Sequence, residues 1–391
     1  MSNRILVVAF TLLAPSLLLA DDEKEGEPKA PKTFTVELLD ADGKPVEGAD
    51  IGMLAGMGDY YRKHPPKDGA EWAYNQHVRS DAGGFAQMTD DDDLKFLCIV
   101  ARHERRKISA IASVDPAKLD TPIKLELLPE CEVECHVKSP ELAALHREIH
   151  GVVVYVTIGT KRALECRFES ADFSIPLPPG TYGVGAKSSS THEVIKAIVV
   201  NDHDRSQTIP NFELPATKLA LLEGQPAPEL PGIVAWKNSE PRALADLRGK
   251  VVILDFWGYW CSACVIGMPE LFKLHDKYHG QGLEIIGVHV DLGEGETERV
   301  DTAAKLDERL KETRKNLWNG RDVPFPVALV NGERTAYRQG IEKQARSTAA
   351  SEYGVIGYPT QILIDRQGKV IGPLLPTEEG IKLLEKAMSE K

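Results

Sequence analysis

Two cysteines three residues apart, Cys261 and Cys264, stand where the residue pattern changes. Before them, residues 251–255 form an apolar run of the kind that makes a strand buried on both faces. After them, Met268, Leu271, Leu274 and Tyr278 recur at steps of three or four and stop at Gly280. That spacing predicts a helix with a glycine end signal. Both thiols then sit where a strand turns into a helix. On a helical first turn, residues three apart bring their α-carbons to about 5–6 Å, within disulfide range. The first cysteine would meet unpaired N–H groups and the positive end of the helix dipole. A thiolate is favoured there, and the thiolate is the species that attacks a disulfide. Lowering a thiol pKa from about 8.5 to about 7 takes roughly 2 kcal/mol, which a dipole and two or three N–H bonds supply. The second cysteine then resolves the mixed disulfide.

The same spacing also suits half of a zinc site, or two inert buried thiols. Zinc wants four ligands, usually from a second such pair. No cysteine follows Cys264, and the nearest later histidines, His275 and His279, fall on the expected helix. No metal or cofactor is expected beyond a redox-active Cys261–Cys264 pair.

Other elements must hold this turn in place. Residues 283–290 form a second apolar strand, so strand, helix and strand make a crossover with the cysteines at the first strand's C-terminal end. Glycines and acids over 293–298 open an insertion. Ala303, Leu306, Leu310, Thr313 and Leu317 predict one amphipathic helix. Residues 324–330 are a further short strand, and 358–365 with 368–372 read as a hairpin. Thr377 is placed to cap a last helix, with Glu378 and Glu379 in its first turn.

The rest of the 391-residue chain is long enough for further domains. Its net charge of −12 argues against nucleic acid as a partner. Arg4 precedes a mostly apolar run over 5–20, short for a membrane span of about twenty residues. It fits a signal peptide over 1–20 cleaved before Asp21, with an uncleaved anchor as the rival. Export to a periplasm or cell envelope, where disulfides persist, is the expectation. Residues 21–32 read as a linker.

From residue 33 the texture is short alternating strands. Residues 34–39 lead into a hairpin turn signal at 40–43. The stretch 43–49 resembles the opening of carboxypeptidase-regulatory-like β-sandwiches. One sandwich is expected over 33–128 and a second over 129–217. In the second, Cys131, Val133, Cys135 and Val137 alternate with polar residues and share a strand face. Cys131 and Cys135 are then about 13 Å apart, too far to bridge each other. Together with Cys98 and Cys166 they read as core residues or structural disulfides, with the pairing left open. Asp90 to Asp93, and Asp202, His203 and Asp204, read as solvated loops rather than metal sites.

Residues 224–391 resemble the thioredoxin superfamily and, within it, the exported TlpA/ResA-like, AhpC/TSA-related thiol-disulfide oxidoreductases. The resemblance is carried by W-x-x-W-C-x-x-C from Trp257 to Cys264, Pro269 five residues on, and Gly357-Tyr358-Pro359-Thr360 downstream. It implies a central sheet flanked by helices, so that the whole chain is expected to be multidomain, an N-terminal all-β sandwich region followed by a C-terminal α/β thioredoxin-like fold. It makes Cys261 the attacking cysteine, Cys264 the resolving one, and Pro359 a cis-proline facing the disulfide. It gives Tyr358 and Thr360 to substrate binding; Trp257 and Trp260 are read as substrate-binding residues that shield the sulfurs from water, and aromatic packing alone would also explain them. The resemblance makes Asp255 a buried acid that relays a proton to Cys264. Thioredoxin pairs this aspartate with a lysine on the next strand, where this chain offers Gly287 and His289. Glu294 is a candidate acid/base after that strand.

The dipeptide Ser262-Ala263 lacks the histidine that strongly oxidising relatives place before the second cysteine. A less stabilised thiolate means a more stable disulfide, so a reducing-type couple is expected. It should lie nearer to about −270 mV than to about −120 mV. The expected partners are protein thiols and disulfides, an unidentified electron donor and a cell-envelope partner for the sandwiches. Two alternatives remain: a peroxiredoxin-like thiol peroxidase and a cell-surface binding protein with an accessory redox domain. The peroxidase chemistry wants a threonine three residues before the reactive cysteine, and position 258 is glycine.

Overall fold

The apolar run around residue 251 forms the strand Val251–Trp257, and every one of its seven residues is buried. It is the centre of a computed structural model that describes residues 32–53, 69–73, 76–90, 97–291, 299–332 and 347–390. The expected signal peptide, nearly all of the linker, Asp91 to Asp93, and the 293–298 insertion lie outside the described residues. Among those described, no helix is long and apolar enough to cross a membrane.

Six strands make the C-terminal sheet, in the order Ile233–Lys237, Val327–Val330, Leu283–Val290, Val251–Trp257, Thr360–Ile364, Val370–Pro373. The central strand runs parallel to Leu283–Val290 and antiparallel to Thr360–Ile364. Alternation sends its side chains into two cores. Val251, Ile253 and Trp257 pack with Cys261, Cys264, Met268 and Leu271 of the following segment. Val252, Leu254 and Phe256 pack with Leu244, Leu247 and Tyr353 on the other face. A strand covered on both faces has no polar side to show, which is why its sequence is a continuous apolar run.

The expected helix after the cysteines is Ser262–Tyr278, and it contains Pro269. A proline inside a helix has no N–H for the carbonyl four residues earlier. That carbonyl belongs to Val265, and the buried indole Nε1–H of Trp318 donates to it at 2.7 Å. Trp318 also packs edge-on against Phe272. The carbonyl that Pro269 leaves open in the active-site helix is thereby satisfied from 53 residues away in sequence.

The single amphipathic helix expected over 303–317 is instead two helices, Ala303–Arg309 and Lys311–Leu317, meeting at Leu310. The Arg314 guanidinium bonds the Asp307 carbonyl, which an unbroken helix would use for the amide of residue 311. Arg314 also joins a charge network: Lys237 Nζ lies 2.8 Å from Asp307 and 2.7 Å from Asp322, and Arg314 lies 3.0 Å from each acid. Thr377 caps the last helix, Glu378–Ser389, by accepting from the Gly380 amide.

The N-terminal half is largely β. One path of strands runs Gln76–Arg79, Asp50–Met53, Leu97–His103, Ile108–Val114, Ile123–Pro129, Lys32–Asp40, Phe85–Asp90. The turn signal at 40–43 forms a turn, with the Asp40 carboxylate accepting from the amides of Asp42 and Lys44. The chain makes only one bridge back, Leu39 to Pro45. Strand Lys32–Asp40 pairs with two later strands instead. Further on, Asp172–Leu177 and Gly180–Lys187 flank the Pro178-Pro179 turn but join different sheets. Strand Gly69–Ala73 pairs across to Lys161–Phe168 in the second β region, and Arg102 bonds Glu130 at 2.7 Å at the same junction.

Cys98, Cys131, Cys135 and Cys166 are all free and buried, which decides between the two readings left open for them: they are core thiols. Burial pushes the Cys135 and Cys166 thiols up to about 12, so neither offers a thiolate at neutral pH.

The Trp318 bond generates a test of how the active-site helix is held. Trp318→Phe keeps an aromatic ring of smaller volume and removes the donor, leaving a buried carbonyl unsatisfied. Urea denaturation should show a loss of about 1–3 kcal/mol. Unchanged stability would show that the Val265 carbonyl finds its partner elsewhere.

Candidate active site

Cys261 is the N-cap of helix Ser262–Tyr278, with φ −93° and ψ 102°, and its Sγ accepts from the Cys264 amide at 3.3 Å. Cys261 and Cys264 are joined as a disulfide with α-carbons 5.2 Å apart. Both are buried, Cys261 at 9% exposure and Cys264 at 3%. The cap bond places a backbone donor on the Cys261 sulfur, an arrangement that favours negative charge at that atom.

The turn leading to Cys261 is fixed from below. Its residues Gly258 to Trp260 close with the Cys261 amide on the Gly258 carbonyl at 3.1 Å. The Trp260 indole donates to the Val290 carbonyl at 2.9 Å, and the Tyr259 amide donates to His289 Nε2 at 3.3 Å. Trp257 is fully buried, packed edge-on against His289. That corrects its expected substrate contact: Trp257 faces the core, and its role at the site is packing beneath the turn. Trp260 is half-buried and stacks edge-on with Tyr358.

The Tyr358–Pro359 peptide is cis, as the resemblance implies. Strand Thr360–Ile364 begins immediately after it, and Thr360 pairs with Phe256 at the C-terminal end of the central strand. The cis-proline loop is thus brought to the end of the sheet from which the cysteine turn leaves. The Thr360 hydroxyl donates to the Gly357 carbonyl at 2.8 Å, closing the loop. Pro359 is exposed, and Tyr358 and Thr360 are half-buried. Glu294 lies outside the described residues.

Asp255 is 1% exposed and lies on the same face of the central strand as Trp257. Its Oδ1 has no hydrogen-bond partner among the described residues. Burial raises its pKa to about 7, against a smaller opposing effect of the Gln361 side chain, which sits opposite it in register. The next strand places Gly287 beside Asp255, and no lysine. A Cβ on Gly287 would lie 2.9 Å from Trp257 Nε1, so the indole occupies the space a longer side chain would need. The acid therefore keeps its proton near neutrality through desolvation rather than through a charged neighbour.

Sequence reasoning did not assign a role to Gln361, Trp318 or His289. Their contacts with Asp255, Val265 and Tyr259 cross 106, 53 and 30 positions, and no local spacing marks them.

The raised pKa of Asp255 has a sign for stability. The unfolded carboxyl titrates near 3.8 and the folded one near 7, so the folded state holds a proton that the unfolded state releases. Stability falls as pH rises through that window. Asp255→Asn removes the effect. The variant should match the parent near pH 3 and exceed it at pH 8 by up to about 4 kcal/mol in urea denaturation. A difference that does not grow with pH would contradict a buried, proton-holding Asp255.

A sequence profile of the AhpC/TSA family matches residues 206–372. The thiol-disulfide oxidoreductase ResA of Bacillus thuringiensis is 31% identical over 160 residues, covering 41% of this chain and 73% of that protein. The ResA of Geobacillus thermodenitrificans is 33% identical over 153 residues, covering 39% and 69%. A solved thiol-disulfide isomerase from Corynebacterium glutamicum is 28% identical, with a TM-score of 0.32, over 42% of this chain and 98% of its own. With the disulfide at the helix tip and the cis-proline loop at the same end of the sheet, the two ResA relatives identify the chain as a member of the ResA-like thiol-disulfide oxidoreductases of the thioredoxin superfamily.

Proposed function

We propose that this chain is an exported thiol-disulfide oxidoreductase that works in the reducing direction on protein disulfides. The observation that carries the reading is the Cys261 sulfur on the Cys264 amide at the start of a helix. In this mechanism the Cys261 thiolate attacks a substrate disulfide, one substrate sulfur leaves as a thiolate and takes a proton, and a mixed disulfide forms. Cys264 loses its proton and attacks Cys261. The second substrate thiol is released and the Cys261–Cys264 disulfide remains. Asp255 receives the proton of Cys264, for which a carboxyl with a pKa of about 7 is suited. Pro359, Tyr358 and Thr360 hold the substrate strand beside the sulfurs, and Trp260 screens them. An external electron donor restores the dithiol.

The reducing direction rests on Ser262-Ala263, which brings no cation into the motif. Export rests on the apolar run over 5–20 after Arg4. The domain plan has sandwiches over 33–128 and 129–217 and the redox domain over 224–391. In it the β regions serve as the part that docks to a cell-envelope partner. It is supported by the separate hydrophobic clusters of the β regions and of the C-terminal sheet, while Val100 and strand Gly69–Ala73 join the first β span to the second.

Two measurements test this. Cys264→Ala should accumulate mixed disulfides with protein substrates, and Cys261→Ala should accumulate none. The reverse pattern would exchange the two roles. Equilibration with dithiothreitol and glutathione should give a midpoint near about −270 mV, and a value above about −180 mV would refute the reducing direction. Peroxide consumption at rates rivalling disulfide reduction would favour the peroxidase alternative.

A further inference from the structure

His289 is a buried imidazole for which the thiol chemistry above has no use. It lies on strand Leu283–Val290, beside Trp257 in register, and is fully buried. Trp257 meets its ring edge-on at 5.1 Å between centroids. Tyr259 stacks on it at 5.7 Å, with planes 12° apart. The Arg309 guanidinium of helix Ala303–Arg309 covers Tyr259 at 5.5 Å. The ring is therefore a middle layer of a stack that runs from the core to the surface beside the cysteine turn.

Among the described residues, its hydrogen bond to another residue is with that turn. The Tyr259 amide donates to Nε2, so Nε2 must be unprotonated and the ring's hydrogen must sit on Nδ1. Burial opposes the charged form in the same sense, pushing the ring down to about 3. Tyr259 is two residues before Cys261, and the turn closes on the Gly258 carbonyl. An amide that lost this acceptor would be a half-buried donor in search of another, and the turn would shift to find one.

We propose that His289 is a positioning residue for Cys261: as a neutral Nδ1–H imidazole it anchors the Tyr259 amide, and through that turn it holds the Cys261 sulfur on the Cys264 amide. The inference rests on the reading of Cys261 as the attacking thiol. The length of the side chain matters. Glutamine carries a carbonyl oxygen at comparable reach, whereas leucine fills much of the volume without an acceptor.

The experiment has two arms. In the unmutated reduced protein, long-range proton–nitrogen NMR of the His289 ring should show a protonated Nδ1 and an unprotonated Nε2 at pH 7. The Tyr259 amide should also be protected from exchange. This arm is independent of the role of Cys261, so the two claims fail separately. An Nε2–H tautomer, or a freely exchanging Tyr259 amide, overturns the proposal. In the second arm, the alkylation rate of Cys261 is followed against pH. His289→Leu should lower the rate at pH 7 about 5–10-fold by moving the thiol's titration upward, and should make the disulfide about 5–10-fold harder to reduce, about 20–30 mV. His289→Gln should restore both to within about twofold. Equal behaviour of the two variants, or no shift of the alkylation profile in either, means that the ring is core packing alone and overturns the proposal. Should His289→Leu fail to fold, the tautomer and amide measurements decide the matter unaided.

Discussion

A charged sulfur needs a donor that is already in place, and for Cys261, the attacking thiol of the proposed mechanism, that donor is the amide of Cys264. The Cys261 sulfur reaches it at 3.3 Å only because Cys261 occupies the N-cap of the helix. Everything nearby serves that placement. The central strand is buried on both faces and delivers the turn at a fixed point. The turn is pinned by Trp260 on Val290 and by Tyr259 on His289. The helix contains Pro269, and the carbonyl the proline leaves open is taken by Trp318. The protein thus anchors both sides of the reacting pair to rigid elements, which a loop-borne pair would lack.

Beneath the disulfide lie two titratable groups displaced in opposite directions by the same cause. Burial raises Asp255 to about 7 and lowers His289 to about 3. Both are therefore neutral in the folded protein over most of the mildly acidic range. Their effects on stability have opposite sign. Asp255 costs stability as pH rises from about 4 to about 7, because the folded state keeps a proton that the unfolded state releases. His289 costs stability as pH falls below about 6.5, because the unfolded ring takes a proton that the folded one refuses. Over the shared window the two slopes oppose one another. A dry polar layer can then persist behind the disulfide without making the fold steeply pH-dependent.

The chemistry and its immediate frame were legible in the sequence because both are local. The run over 251–255, the three-residue cysteine spacing and the helical periodicity after it placed strand, turn and helix. Pro359 was found from its own motif, and its loop lies at the same end of the sheet. What the sequence did not disclose depends on partners far along the chain. Trp257 was assigned to the substrate by its motif, yet it fills the space left by Gly287 on a neighbouring strand. The break at Leu310 follows from Arg314 taking a carbonyl out of the helix, and spacing alone is blind to that competition. Strand Lys32–Asp40 makes a bridge across its nearest turn but takes its ladders from strands that begin at Phe85 and Ile123.

The account stands on the acidity of one sulfur. Titration of the reduced protein by ultraviolet thiolate absorbance, with Cys264→Ser to isolate the signal, measures it directly. A thiolate forming with a midpoint near pH 7 is the result the helix-tip geometry predicts. A midpoint at about 8.5 or above, the range of an ordinary free cysteine, would mean that the amide at 3.3 Å does not stabilise the charge, and the account would fall.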